Sequence, residues 1–487
     1  MRLGNLVKSI DFIELVNIED YDEEIEGIKY NSKRVQPGDL FVCLTGEHVD
    51  GHEYADEAIA NGAIACVVER RLSSDAPQIV VHSTEETIAQ ISSEFFANPS
   101  RKLNMIGVTG TNGKTTVTHL IQKLYEAFDQ KCALIGTLGH KFSSADDYRD
   151  AKHTTPQAPE LQELLWNINE KCIDNVVMEV SSHSLVQHRV DYVDFNGAVL
   201  TNLTQDHLDF HITMNNYFKA KAILFSELVT GDFAVINNDD EYAERFKEVI
   251  SSGVNTYTYG VTGKADVMAK DITFGHDGAT FTCVVKGKEY KTALAMNGMF
   301  SVYNVLAAVT TALALGFDIE KSIRVLEQIP GVAGRFEVVV TKPTVIVDYA
   351  HTPDGLENVL KAARDITPSN AKLICIFGCG GDRDATKRPK MGRIAEDYAD
   401  KVIVTSDNPR SENPQQIITD ILAGFRSVNE VIVEPDRELA IKEAYKLANA
   451  TDVVLVAGKG HEDYQILADE TIHFDDREKV REIFVGA

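Results

Sequence analysis

Apolar and polar positions alternate along the chain in three different rhythms. Up to about residue 100 the pattern is of short apolar runs, Leu40-Phe41-Val42-Cys43-Leu44 and Ala63-Ile64-Ala65-Cys66-Val67-Val68. Between them lies a helical pattern over Tyr54–Ala60, and the stretch closes at Ala97-Asn98-Pro99-Ser100. A second stretch opens with the strand-like run Met105-Ile106-Gly107-Val108, a glycine-rich loop, and a helix with Val117, Leu120, Ile121 and Leu124 on one face. Further strands are expected at 175–180 and Gly197–Leu200, and a long helix at 303–315, before Pro330-Gly331. The third stretch alternates strand and helix. Its strand-like runs are Val345–Val347, Leu373–Phe377, Val402–Val404, Val431–Val433 and 453–456, and Leu356, Val359, Leu360 and Ala363 form one helix face among them. This alternation predicts an α/β fold with a parallel sheet covered on both faces. Ligands of such sheets bind beyond the carboxyl ends of the strands. The segments in those places are Asp348–Pro353, 378–384, 406–410 and 457–462.

A chain of 487 residues is too long for one core. Apolar residues make up 44% and charged residues 25%, as in ordinary globular proteins. Neither a long apolar span nor a signal-type apolar segment follows Met1-Arg2-Leu3-Gly4-Asn5, so a cytoplasmic location without a membrane partner is the expectation. Seven cysteines without a C-x-x-C pair argue against a disulfide framework or a zinc site. Lys and Arg number 48 against 74 Asp and Glu, a net charge of −26. That charge repels polyanions and speaks against nucleic acid as a partner. A small anionic substrate would instead need local Lys, Arg and backbone N–H donors.

The loop Gly110-Thr111-Asn112-Gly113-Lys114-Thr115-Thr116 meets that need. Glycines let N–H groups turn inward around phosphates, Lys114 can sit against the β- and γ-phosphates, and a Thr115 or Thr116 hydroxyl can ligate Mg²⁺ at the helix N-terminus. The strict Walker A pattern is broken at Val108, where its first glycine would fall. Glu179 ends an apolar strand, a place where a carboxylate suits a hard Mg²⁺ ion or simply meets solvent. The cluster Asp206, His207, Asp209 and His211 has a metal-like composition but reads equally as a polar loop. Ser182-His183 lacks the flanking glycines of a nucleophile elbow, which argues against a hydrolase.

The loop resembles the nucleotide loop of the Mur ligases, which build the peptide stem of bacterial cell-wall precursors. Further segments resemble the same family in the same order: Glu179-Val180-Ser181-Ser182-His183, Asn202–His207, Tyr303-Asn304, Gly334-Arg335-Phe336-Glu337 and Asp348–Pro353. The likeness spans essentially the whole chain. It implies a three-domain architecture: a UDP-substrate domain over 1–100, a central P-loop ATPase-like domain over 101–331, and a Rossmann-like amino-acid domain over 332–487. It implies ATP contacts from Asn304, Arg335 and Asp348 besides the loop. It also implies catalytic and Mg²⁺-binding roles for Glu179, His207 and Lys221, the lysine carbamylated, beside Lys114 and Thr115. Asn31–Phe41 is similar to the uridine segment of members adding the third stem residue, with Ser32 the matching contact. Thr154, Thr155, Ser181, Gln187 and Arg189 match contacts to the muramoyl dipeptide.

Asp407-Asn408-Pro409-Arg410 resembles the version found in members that add meso-diaminopimelate, with Arg383, Gly458 and Glu462 as further contacts. An Arg fork can bind the carboxylate that distinguishes diaminopimelate from lysine, and it would repel a bare ammonium. The expected reaction joins meso-diaminopimelate to the D-glutamate carboxylate of a UDP-muramoyl dipeptide, UDP-MurNAc-L-Ala-D-Glu, through an acyl phosphate made from ATP. Its partners would be these small molecules alone, and the protein a monomer. The alternatives are the same reaction with L-lysine, a folylpolyglutamate synthase-like ligase, and a nucleotide-binding switch without ligase chemistry.

Overall fold

The computed structural model describes residues 1–18, 22–46, 49–149, 153–275 and 278–486. Packing divides the chain into two compact units that interleave along the sequence. One comprises Met1–Gly107, Gln130–Gly197 and Glu227–Asp232; the other comprises Val108–Asp129, Ala198–Ser226 and Phe233–Ala487.

In the first unit the apolar runs become strands Asp39–Val42 and Ala65–Val68, the middle of a five-stranded sheet. Gly27–Lys29 and Gln78–Val80 flank them in parallel, and Glu14–Val16 closes the edge antiparallel. Alternate side chains feed two cores: Leu40, Val42 and Val67 on one face, Phe41, Cys66 and Val68 on the other. That division follows from the two-residue period of a strand. The same unit carries the parallel pair Cys132–Gly136 and Asn175–Glu179, every residue of which is buried.

In the second unit the helix Lys114–Ala127 buries Val117, Leu120, Ile121 and Leu124, the face read from the sequence. It packs against helices Met299–Ala314 and Ile319–Glu327. Strands Phe233–Asn237 and Asn255–Gly260 pair in parallel, then give way to an antiparallel meander of Val267–Gly275, Gly278–Val285 and Lys288–Leu294. The C-terminal sheet has the order Glu337–Thr341, Thr344–Asp348, Val453–Ala457, Leu373–Phe377, Lys401–Val404, Ile432–Val433. Its last five strands are parallel, as the alternation predicts. The first is an antiparallel edge that the wholly parallel expectation lacked. Only Val340 of its five residues is buried, so it carries no continuous apolar run to announce it. Cores on both sides of this sheet are apolar, and helices cover it. Among the described residues no helix is long and apolar enough to cross a membrane.

Candidate active site

The glycine loop leaves strand Asn104–Thr109 and enters helix Lys114–Ala127 at Gly113, whose φ of +87° suits a residue without a side chain. A Cβ there would lie 2.5 Å from Asn304 Oδ1, and one on Gly110 would lie 1.9 Å from Thr201 Oγ1. Both glycines are therefore required by packing as well as by backbone angle. The loop is fixed from behind. Thr111 N–H donates to the Asn202 carbonyl at 2.8 Å, Asn112 N–H to Asn202 Oδ1 at 2.9 Å, and Asn112 Nδ2 to Asp354 Oδ2 at 2.8 Å.

Two lysines converge on one carbonyl: Lys114 Nζ donates to Gly110 O at 2.8 Å and Lys221 Nζ to the same oxygen at 2.9 Å. Lys221 is fully buried, with its Nζ 4.7 Å from the Tyr217 ring centre. Burial, and then the Lys114 charge, lower its pKa well below the ordinary lysine range. Arg335 donates to Thr115 Oγ1 at 3.1 Å and lies over the Tyr349 ring at 4.4 Å. Asp348 accepts from Phe336 N–H at 2.6 Å and Ala350 N–H at 2.7 Å, and burial raises its pKa against the pull of Arg335. Each carboxylate oxygen keeps a second lone pair for another donor.

Glu179 belongs to the first unit. It is buried at the end of strand Asn175–Glu179, and its two oxygens accept from Thr137 N–H at 2.9 Å and Thr137 Oγ1 at 3.0 Å. Around it the structure gathers the residues matched to the dipeptide. Thr154 Oγ1 is 3.1 Å from Thr137 Oγ1, Thr155 Oγ1 donates to the Glu179 carbonyl at 2.9 Å, and Ser181 N–H donates back to Thr155 Oγ1 at 3.1 Å. Arg189 reaches the Thr155 carbonyl and Gln187 Oε1, while its buried Nε has no hydrogen-bond partner among the described residues. Ser32 stands outside this network, its hydroxyl donating to Glu57 Oε2 at 2.7 Å.

His207 sits in a left-handed conformation with Nε2 3.2 Å from Asp206 Oδ2. Burial alone would raise the Asp206 pKa, but the charges of His207 and Lys387 outweigh it and hold it at about 2. Among the described residues no three or more His, Cys, Asp or Glu side chains are gathered as a metal cluster. Of the residues that the resemblance assigns to Mg²⁺, Glu179 in the first unit and Thr115 in the second each carry hard oxygens of the kind Mg²⁺ prefers. Lys221 fits a cation only after losing its own charge, and its depressed pKa makes the free amine accessible.

At the carboxyl end of the C-terminal sheet, Asn408 Nδ2 donates to Glu462 Oε2 at 2.9 Å. Asn408 Oδ1 accepts from Ile466 N–H at 3.0 Å and Lys459 Nζ at 3.2 Å. Lys459 Nζ also pairs with Glu462 Oε2 at 2.9 Å. Burial, then the Asp407 charge, raise the Glu462 pKa. Arg410 is half-buried and donates to the Gly381 carbonyl at 2.8 Å; burial and the charge of exposed Arg383 lower its pKa. Gly381 N–H donates to Asn408 O at 2.9 Å, and Pro409 O lies where a Gly381 side chain would stand. Gly458, at φ +122°, leaves room for Asp407 Oδ2, 2.5 Å from where a Cβ would be.

Several residues of these networks carry no sequence signal, Asp354 behind the glycine loop among them. Lys459 lies between two matched positions but, following a strand end, reads as a solvent lysine. Thr137 belongs to no motif.

The strand, glycine loop, lysine and helix N-terminus define a P-loop nucleotide-binding protein. Sequence comparison narrows the class. Residues 24–97 match the Mur ligase family catalytic domain, 108–312 the Mur ligase middle domain, and 334–460 the Mur ligase glutamate ligase domain. The chain is 44% identical over 495 residues to a UDP-N-acetylmuramoyl-L-alanyl-D-glutamate--2,6-diaminopimelate ligase of Bacillus cereus, covering 100% of this chain and 99% of that one. A ligase of the same name from Synechococcus elongatus is 47% identical over 471 residues, 94% of each chain. A solved structure of such a ligase is 34% identical with a TM-score of 0.68, covering 100% of this chain and 99% of the other. The chain belongs to the Mur ligase family and has its three-domain α/β architecture.

Proposed function

We propose that this chain is an ATP-dependent amide-bond-forming ligase that joins meso-diaminopimelate to the D-glutamate side-chain carboxylate of UDP-N-acetylmuramoyl-L-alanyl-D-glutamate, in peptidoglycan precursor synthesis. The observation that carries this reading is the likeness, over the whole chain, to ligases named for that reaction. The charge of the C-terminal cluster supports the choice of amino acid. Arg410 feels the like charge of Arg383 as well as the carboxylates Asp407, Glu462 and Asp382, so a pair of arginines stands among the acids of the cluster. Diaminopimelate brings a second carboxylate to such a site; lysine brings only a second ammonium.

A carboxylate is a poor acyl donor because oxide is a hopeless leaving group. Transfer of the ATP γ-phosphoryl group to the D-glutamate carboxylate gives an acyl phosphate. The neutral amine of diaminopimelate attacks its carbonyl carbon, and the tetrahedral intermediate collapses with loss of phosphate. The work of the protein is positioning and charge stabilisation, so no protein nucleophile is needed. Lys114 and the N–H groups of Gly110–Thr116 hold the phosphates; Asn304, Arg335 and Asp348 hold the rest of the nucleotide. Thr115, Glu179, His207 and Lys221 as its carbamate are the proposed Mg²⁺ ligands. The ion supplies positive charge to the phosphate oxygens. Ser32, Thr154, Thr155, Ser181, Gln187 and Arg189 bind the UDP-muramoyl dipeptide, the Arg189 Nε offering an unsatisfied donor. Arg383, Asp407–Arg410, Gly458 and Glu462 bind the amino acid. The stretches 1–100, 101–331 and 332–487 are assigned as the UDP-substrate, ATP and amino-acid domains. The enzyme acts in the cytoplasm, as a monomer, on small molecules rather than on nucleic acid or membrane.

The test is phosphate release by the purified chain with ATP and UDP-MurNAc-L-Ala-D-Glu, comparing meso-diaminopimelate with L-lysine. Release should require the amino acid and favour diaminopimelate. ADP formed equally fast without any amino acid would refute a ligase; preference for lysine would move the reading to that relative.

A further inference from the structure

Strands Val453–Ala457 and Lys401–Val404 are not neighbours, because Leu373–Phe377 runs between them. The two amino-acid segments, Asp407–Arg410 and Gly458–Glu462, leave from the ends of those separated strands. Ladder hydrogen bonds fix the spacing of adjacent strands at roughly 4.8 Å but do not set the spacing of segments that have left non-adjacent ones. The side chains of the two segments meet through Asn408, Lys459 and Glu462, and a further side chain ties together the backbone on which they stand. Arg437, at the start of helix Arg437–Leu447, donates from NH1 to the Ser406 carbonyl at 3.2 Å and from NH2 to the Ala457 carbonyl at 3.0 Å. These are the residues immediately before Asp407 and Gly458.

Arg437 is held in turn by Asp476, the first residue of helix Asp476–Phe484. Its Nε and NH2 each donate to one carboxylate oxygen at 2.7 Å, and both side chains are fully buried. A buried ion pair of this kind adds little net stability over apolar residues of the same volume. Its geometry, by contrast, is rigid: a planar fork clamped on one side and two carbonyls on the other. Besides Asp476, the charges of Asp407 and Glu462 favour the protonated guanidinium.

We propose that the Arg437–Asp476 pair is a positioning device for the amino-acid site, holding the Asp407–Arg410 and Gly458–Glu462 segments at the separation that lets both ends of diaminopimelate be bound at once. The inference rests on the diaminopimelate reading above. Arg437 acts through the two backbone segments and needs no contact with substrate.

The double variant Arg437→Met/Asp476→Leu replaces the pair with apolar side chains of similar size, so it should fold. In the full-length enzyme its KM for meso-diaminopimelate should rise about tenfold or more, and its preference for diaminopimelate over lysine should fall, while KM for ATP stays within about twofold. The single variant Arg437→Lys keeps the charge and loses the fork; it should show the same split to a smaller degree, and it serves if the double variant does not fold. Unchanged diaminopimelate KM and selectivity in the folded variant would overturn the proposal, as would a loss shared equally by all three substrates. An unmodified enzyme that releases no diaminopimelate-dependent phosphate would instead sink the substrate reading.

Discussion

At the phosphate loop two lysines, Lys114 and Lys221, donate to the single carbonyl of Gly110. At the amino-acid cluster Lys459 is shared between a carboxylate, Glu462, and an amide, Asn408, and Asn408 is itself bonded to Glu462. Both regions lie just beyond the carboxyl end of a strand, and both concentrate cations in a chain of net charge −26. The loop presses two amines together, so that burial and Lys114 push Lys221 toward its neutral form and Lys114 keeps the charge; the cluster interleaves opposite charges. A cation held beside inward-turned N–H groups gains from each phosphate oxygen that arrives. An interleaved cluster changes little in total charge when a zwitterion arrives, so its contribution is selection. On the proposed function, the loop serves charge stabilisation and the cluster discrimination.

The largest effect should come from Lys114→Met, which removes the loop cation proposed to hold the phosphates. A fall in kcat of about 10²–10³-fold is expected, with KM for diaminopimelate within about twofold. A large rise in that KM would break the division of labour. Arg410→Met tests the other side. It should lower the diaminopimelate-over-lysine ratio of kcat/KM by about 10–100-fold, the worth of a charged hydrogen bond, and leave KM for ATP nearly unchanged. Equal loss with both amino acids would mean that Arg410 only braces the turn through its bond to Gly381.

The smallest effect concerns His461, beside Tyr349 at 4.9 Å between ring centres. Burial, and then the charges of Arg335 and Arg477, lower its pKa to about 3. Above pH of about 6.5 the imidazole is neutral in both folded and unfolded chains. As pH falls below that, the unfolded chain takes up a proton that the folded one refuses, so stability falls toward the folded pKa. Between pH 6.5 and 5 this contributes up to about 2 kcal/mol. His461→Gln should flatten that part of the profile, measured by urea unfolding at pH 7 and 5; an unchanged profile would assign the acid loss to other groups.

How much of this was legible in the sequence depended on the distance over which each feature is encoded. Leu373–Phe377 is a strand at the residues its apolar run marks, because a parallel strand buried on both faces cannot hide its pattern. Strands Val267–Gly275 and Lys288–Leu294 mix buried and exposed residues and carry Lys and Thr on their open face, so neither shows a continuous apolar run. The glycine loop was readable because its spacing is local. The same holds for Asp407–Arg410, although only a family likeness tied it to an amino acid. Thr137 was not readable, because its partner Glu179 lies 42 residues away; Lys459 has one local partner, Glu462, but its bond to Asn408 spans 51 residues. Arg437 was hidden for the same reason: inside an ordinary helix sequence, nothing local reveals a side chain that meets Asp476 and two carbonyls.

The interleaving of the two units bears on how the protein is made. A ribosome releases about 5–20 residues per second. Helix Lys114–Ala127 emerges early, yet it belongs to the unit whose bulk is Phe233–Ala487. Two helices it packs against begin at Met299 and Ile319, so roughly 10–40 s of synthesis separate it from them. For that interval the segment that carries the glycine loop lacks this part of its packing.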